Sequence, residues 1–214
     1  MKGNSRSRSY NSESRRLRTS QLRTQVLDAA RKLFSAQGID KVTIEALAAE
    51  AGVAGATVYA LFRSKVGILE ALVRASFFGP NYAAVAERLQ HTTDPLELLR
   101  ITAAISRVIF DTEKAEIGLI RGAAAFSPEL RRIEVELEQI RYDLQEPRAR
   151  LLVQRYAKAS ALGFAKVRDV MWMLTGRDLY RMFVLERGWS SAAYEQWLAA
   201  TLIDLLTDPA ERSP

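Results

Sequence analysis

Cysteine is absent from this 214-residue chain, and histidine occurs once, at His91. The first absence excludes a disulfide framework and any thiolate metal site, and it suits a reducing compartment. The second leaves no histidine cluster for a metal and no spare imidazole for a Ser/His/Asp triad. His91 itself lies between Gln90 and Thr92 in a loop-like stretch, where a solvated side chain is the simpler reading. No glycine motif of the GxxxxGK[ST] or GxGxxG type is present to cradle a phosphate. The start, Met-Lys-Gly-Asn-Ser-Arg-Ser-Arg-Ser, lacks the apolar stretch of a signal peptide. Apolar runs such as Val170–Leu174 are far too short to span a bilayer. Alternating β-branched runs and internal repeats are also missing. Together these absences imply a soluble, cytoplasmic, all-α chain that is not an enzyme and uses no cofactor and no metal.

What is present is unevenly placed. Residues 1–75 hold 13 Lys/Arg against 6 Asp/Glu, whereas the remaining 139 hold 18 against 19. The whole formal excess of +6 thus comes from the N-terminal third. Such asymmetry fits a module that binds a polyanion joined to a neutral one. Residues 1–22, rich in Ser and Arg (Arg6, Arg8, Arg15, Arg16, Arg18), have almost nothing to bury and read as a basic flexible arm. Next to a DNA-binding module such an arm lies in a minor groove or along phosphates.

From Arg23 the pattern is helical, with Leu22, Val26, Ala30, Leu33 and Phe34 on one face, and Gly38 closes that helix. Thr43 caps the next helix, Val42 staples onto Leu47, and Gly52 ends it. Val58 and Phe62 tie a short third helix into the core, and a fourth starts at Ser64-Lys65 and ends near Gly79-Pro80. Helix, tight turn and short helix in this order form a helix-turn-helix, whose second helix enters the major groove.

The segment Gly52-Val53-Ala54-Gly55-Ala56-Thr57-Val58-Tyr59-Ala60-Leu61-Phe62-Arg63-Ser64-Lys65 resembles the recognition segment of the TetR/AcrR family of bacterial transcriptional regulators. That segment typically reads Gly-Val-Ser-x-Gly-Thr-x-Tyr-x-Tyr-Phe-x-Ser-Lys. Gly52, Val53, Thr57, Tyr59, Phe62, Ser64 and Lys65 match it. The resemblance covers residues 23–75 well and implies that Thr57, Tyr59 and Lys65 hold phosphates, with Thr43 adding a contact from its helix N-terminus. Hydroxyl, ammonium and helix N-terminus all suit that task. The departures are informative: Ala54 replaces a capping Ser, at a cost of about 1 kcal/mol. Ala54, Gly55, Ala56 and Ala60 leave almost no side chain to read base edges. Methyl contacts, close backbone approach at Gly55, DNA shape and the arm remain, with Arg63 directed to a phosphate.

Residues 76–214 form the second module, with helices expected near 82–90, 95–111, 114–125, 128–159 (broken at Pro147), 166–187 and 191–206. Glu136 and Glu138 fall on a heavily charged helix and read as a solvated face. Large apolar residues at helical spacing form either plain core or a ligand pocket; the pocket reading uses Phe78, Tyr82, Ile105, Ile109, Phe110, Ile117, Phe126 and Trp172. The last helix is apolar over more than one stripe and so packs on two sides. Tyr194, Trp197, Leu198, Leu202 and Leu205, with Met171, Leu174 and Phe183 of the helix before it, therefore read as a homodimer interface in a four-helix bundle. The family resemblance implies the same dimer.

The function expected is a DNA-binding transcriptional regulator, a repressor released from double-stranded operator DNA by an unknown small-molecule effector. An architectural or nucleoid-associated DNA binder without an effector is the alternative.

Overall fold

Apolar side chains repeating every three to four residues close into helices, and the computed structural model of the chain consists of helices and short connections over the residues it describes, 5–112 and 128–212. No strand occurs among them. The predicted helix 114–125, with Ile117 and Phe126, lies outside the described residues. No single described helix is long and apolar enough to cross a membrane. The chain divides into two compact units, one built on residues up to Val73 and one on residues 74–112 and 131–212.

In the first unit, α1 (Ser5–Gln37), α2 (Ile44–Ala51), α3 (Gly55–Phe62) and the start of α4 (Lys65–Phe78) surround one core. Val26, Phe34, Val42, Leu47, Val58, Phe62, Ile68 and Leu72 are all buried there. The expected caps are in place. Thr43 Oγ1 accepts from Ala46 N at 3.1 Å, and Gly52 adopts φ +66 at the end of α2. Gly38, at φ +81, turns the chain out of α1. Helices α2 and α3 meet at 107°, the angle of a helix-turn-helix.

The arm departs from expectation. Residues from Ser5 onward are placed as a helical continuation of α1, a conformation the sequence reading did not assign to them. Arg, Leu and Glu are good helix formers and no Gly or Pro interrupts residues 5–37. The hydroxyls that compete with a helix are satisfied inside it: Thr19 donates to the Arg15 carbonyl at 2.8 Å and Thr24 to the Ser20 carbonyl at 3.2 Å.

The second unit is organised around α6 (Pro95–Thr112), flanked by α5 (Pro80–Ala86), α8 (Glu146–Arg155) and α12 (Ser191–Leu206). Asp94 caps α6 through both carboxylate oxygens. The long helix predicted over 128–159 is three: α7 (Pro128–Asp143), α8 and α9 (Ala157–Leu162). The first break falls at Leu144–Gln145, and Pro147, which has no N–H to donate, sits in the first turn of the new helix α8. The helix predicted over 166–187 also splits, into α10 (Phe164–Leu174) and α11 (Arg177–Tyr180), the latter continuing as a π-helical turn over Arg181–Glu186. α12 has the predicted bounds, with Ser190 Oγ accepting from Ala193 N at 3.1 Å.

Candidate nucleic-acid interface

Helix α3 owes its exposed chemistry to its short length and small residues. Val58 and Phe62 anchor it, 0% and 5% exposed, and the opposite face carries Ala56, Tyr59 and Ala60. Tyr59 is 64% exposed, which places a large aromatic with a free hydroxyl on the surface of a helix that has no other long polar side chain. A core role for Tyr59 is therefore excluded. Thr57 and Gly55 are half-buried, and Ala54 is exposed and caps nothing with its side chain. Thr43 is exposed at the start of α2, and its hydroxyl hydrogen remains available while its oxygen caps the helix.

Lys65 is more constrained than the phosphate role requires. Its Nζ donates to the Ile39 carbonyl at 3.0 Å and to the Asp40 carbonyl at 3.4 Å, which pins the α1–α2 loop to the start of α4. One ammonium hydrogen is left for an outside anion. Arg63 has φ +64 and ψ −36, the one non-glycine residue with positive φ among those described. Ser64 N reaches back to the Phe62 carbonyl at 2.7 Å, so the turn out of α3 is tight and costs on the order of 1 kcal/mol. It holds the exposed Arg63 side chain beside the recognition helix.

Arg15, Arg16 and Arg18 are exposed on α1. A groove of about 490 Å³ is lined by Arg15, Arg16, Thr19, Ser20 and Arg23. Guanidinium and hydroxyl groups are the donors that phosphate oxygens accept from. Two residues of this interface escaped the sequence reading. Arg23, read only as the start of a helical pattern, donates from Nη1 to the Leu61 carbonyl at 3.0 Å and lies 4.6 Å above the Phe62 ring, so it clamps the end of α3. Gly67 stands where a Cβ would lie 2.0 Å from the Phe62 carbonyl oxygen. A glycine inside a helical run was the only signal for it.

The second unit corrects several assignments. Ile105, Ile109 and Phe110 are 8%, 4% and 0% exposed and pack as core, while Phe78 is 46% exposed and Tyr82 half-buried. Trp172 is half-buried, donates from Nε1 to Glu138 at 3.0 Å and stands edge-on to Tyr142. Glu138 thus belongs to a partly buried network with Arg141, not to a solvated face, and Glu136 pairs with Arg74 at 3.0 Å. An open pocket in this unit, about 450 Å³, is lined by Asn81, Ala84, Arg107, Val108, Asp111 and Thr112, none of them predicted. Asp111 accepts there from Tyr180 and Ser191.

Of the predicted interface, Met171, Tyr194, Leu198 and Leu202 are 0% exposed and Leu174 7%, closed inside their own protomer. They offer no surface to a second copy. Tyr194 packs edge-on to Tyr180, and burial, opposed by the neighbouring Ser106 hydroxyl, pushes its phenol up to about 12. Phe183 and Trp197 are half-buried and Leu205 is 44% exposed.

A three-helix core presenting an aromatic hydroxyl, cap hydroxyls and guanidinium groups around a short helix, joined to a second helical unit, defines a helix-turn-helix transcription regulator. Residues 26–72 match the sequence model described as bacterial regulatory proteins, tetR family. The chain is 29% identical over 160 residues to the HTH-type transcriptional regulator BetI of Serratia proteamaculans (strain 568), covering 71% of this chain and 79% of that one. The BetI of Proteus mirabilis (strain HI4320) is 28% identical over 156 residues, 70% of this chain and 77% of its own. Among solved structures, the regulator FadR from Bacillus subtilis in complex with stearoyl-CoA superposes with a TM-score of 0.65 at 18% identity, over 85% of this chain and 98% of the other. A putative regulator from Saccharomonospora viridis in complex with choline gives 0.62 at 20% identity, over 86% and 96%. Residues 26–72 thus carry the sequence pattern of the TetR family of bacterial regulatory proteins, and the whole chain is similar to regulators of that kind.

Proposed function

We propose that this regulator is a homodimeric repressor that holds double-stranded operator DNA through two recognition helices and releases it when a small molecule binds the second unit. The observation that carries the DNA half is Tyr59, 64% exposed on an otherwise small-residue helix, beside Thr57 and the exposed Thr43. Phosphate contacts by these groups set register, while the bare Ala54-Gly55-Ala56 surface allows close approach of backbone to DNA. Similarity to proteins solved with stearoyl-CoA and with choline supports an effector site in the second unit. Release then follows from linkage: an effector that prefers a dimer with its heads off the roughly 34 Å groove repeat lowers operator affinity.

For the dimer, the series Tyr194–Leu198–Leu202–Leu206 is closed inside the protomer, and the parallel series Trp197–Thr201–Leu205 runs beside it. Exposed Met182 and Leu185 on the π-helical turn add apolar surface. This stripe is the contact proposed here.

The architectural reading retains one supporting observation, the scarcity of base-reading side chains on α3 combined with the basic helical extension of α1. Selection of bound sequences from a random DNA pool separates the two. Enrichment of a two-fold symmetric site supports the repressor, and binding that tracks salt without enrichment supports the architectural role.

A further inference from the structure

Arg148 is the exception among the arginines of the second unit. Each of the others that is not fully exposed among the described residues, from Arg107 with Glu195 to Arg212 with Asp204, lies in an ion pair. Arg148 has none. Its Nη1 donates to Thr102 Oγ1 at 3.1 Å and to Gln145 Oε1 at 3.0 Å, two neutral atoms. Both partners are themselves buried, 2% and 4% exposed, and both are fixed: Thr102 donates to the Leu98 carbonyl at 2.7 Å, and Gln145 Nε2 to Thr175 Oγ1 at 3.3 Å. The guanidinium is thus held in one orientation by α6 and α8 without being neutralised. Burial pushes it below its ordinary value, partly opposed by the Tyr82 phenol nearby. Nε and Nη2, the two donors of the side-on fork, make no hydrogen bond among the described residues. That edge matches the two oxygens of a carboxylate or phosphate. A half-buried guanidinium without a counter-charge is costly, a cost expected where a ligand supplies that charge. Tyr82 itself stands edge-on to Phe78 at 5.8 Å between ring centres, and Phe78 is 46% exposed.

We infer that Arg148 is the anion-binding group of an effector site in the second unit, taking a small organic molecule that carries a carboxylate or phosphate, with Thr102 and Gln145 as positioning residues and Tyr82 beside the bound group. The inference rests on the small-molecule reading above and adds the charge of the molecule: a quaternary ammonium compound is disfavoured here by like charge.

The binding step is tested without DNA, and operator titration then tests the effector reading. Thermal unfolding of the full chain is followed at constant ionic strength with inorganic phosphate, octanoate, neutral octanamide and choline, since a ligand bound to the native state alone raises the midpoint. Phosphate or octanoate is expected to raise it, with octanamide and choline giving no comparable shift. Octanoate acting more strongly than phosphate assigns a carboxylate on an apolar body, and the reverse assigns a phosphoryl group. Arg148→Gln and Arg148→Met are expected to lose the anion shift while the ligand-free midpoint stays equal or rises, because an unpaired charge has been removed. Anion shifts that persist in both variants, or the absence of any anion shift in the parent chain, overturn the inference. An anion that binds through Arg148 yet leaves operator binding unchanged leaves the site standing and removes the effector reading. A neutral or cationic molecule that releases operator equally from the parent and from Arg148→Gln does the opposite.

Discussion

Replacing Gly67 with alanine tests whether the recognition helix is held by close backbone packing. The added Cβ would lie 2.0 Å from the Phe62 carbonyl oxygen and 3.1 Å from its carbon. Because real Cβ contacts essentially never fall below 3.0 Å, the end of α3 and the first turn of α4 must separate by about 1 Å. The obstacle is backbone, which cannot rotate away as a side chain would. Overpacking of this kind costs about 1–3 kcal/mol, and removing a helical glycine returns up to about 1 kcal/mol. The expected result is a net loss of about 1–2 kcal/mol, or roughly 5–15 °C in the midpoint of a unit this small. Arg23 loses its hold on Leu61 and Phe62 in the same movement, so operator affinity falls with stability. Gly55→Ala is the control: no atom lies within 4 Å of its Cβ, and its φ is not positive. It is expected to fold normally and to lose affinity only through the groove-facing surface. Thermal melts of both variants beside operator titrations separate the effects. A Gly67→Ala protein as stable as its parent, with unchanged affinity, refutes the close-packing argument.

Tyr59→Phe is expected to change stability by less than about 0.5 kcal/mol and to weaken operator and random DNA alike, since a phosphate contact carries no base information; a loss confined to operator contradicts the assignment. Lys65→Ala combines two effects, a stability loss of about 1 kcal/mol from the freed Ile39 and Asp40 carbonyls and a salt slope lower by about one unit. An unchanged slope would leave Lys65 as a loop tie alone. Leu205→Glu is expected to dissociate the dimer in sedimentation without unfolding it, whereas Leu202→Glu, at a position 0% exposed, unfolds the protomer; a folded, dimeric Leu205→Glu protein moves the interface elsewhere. The Tyr194 phenol, raised from 10.0 to about 12 chiefly by burial, binds its proton more tightly when folded. Stability is therefore complete below about pH 10 and falls as pH rises through about 12, by on the order of 2–3 kcal/mol. Tyr194→Phe removes that dependence, and because the buried hydroxyl has only the Ser106 hydroxyl near it and no hydrogen bond of normal geometry, the variant is expected to keep its stability at neutral pH. Retention of the alkaline transition in Tyr194→Phe would assign it to another group.

Local chemistry was legible in the chain. The Thr43, Asp94 and Ser190 caps, the glycine ends of α1 and α2, and the bounds of α12 follow from residue types that act within a turn of themselves. Helical period placed Val58 and Phe62 inward on α3, while the outward Tyr59 was expected from the family resemblance. What periodicity could not supply was the identity of the opposing surface. The last helix is apolar on two stripes, and only packing against α6 decided that Tyr194, Leu198 and Leu202 face inward, leaving Trp197 and Leu205 beside them.

The same limit applies to charge and to small residues. In sequence Arg148 is one of many arginines, and its lack of a counter-ion emerges only when Thr102, forty-six positions away, and Gln145 are brought against it. Gly67 is a weak point in a helical pattern until Phe62 is folded back over it. Short-range rules of period, capping and turn geometry were determined by the amino-acid order itself. Which stripe is buried, which charge stays unpaired and where backbone meets backbone were decided by tertiary contact, because each depends on a partner that the local sequence does not contain.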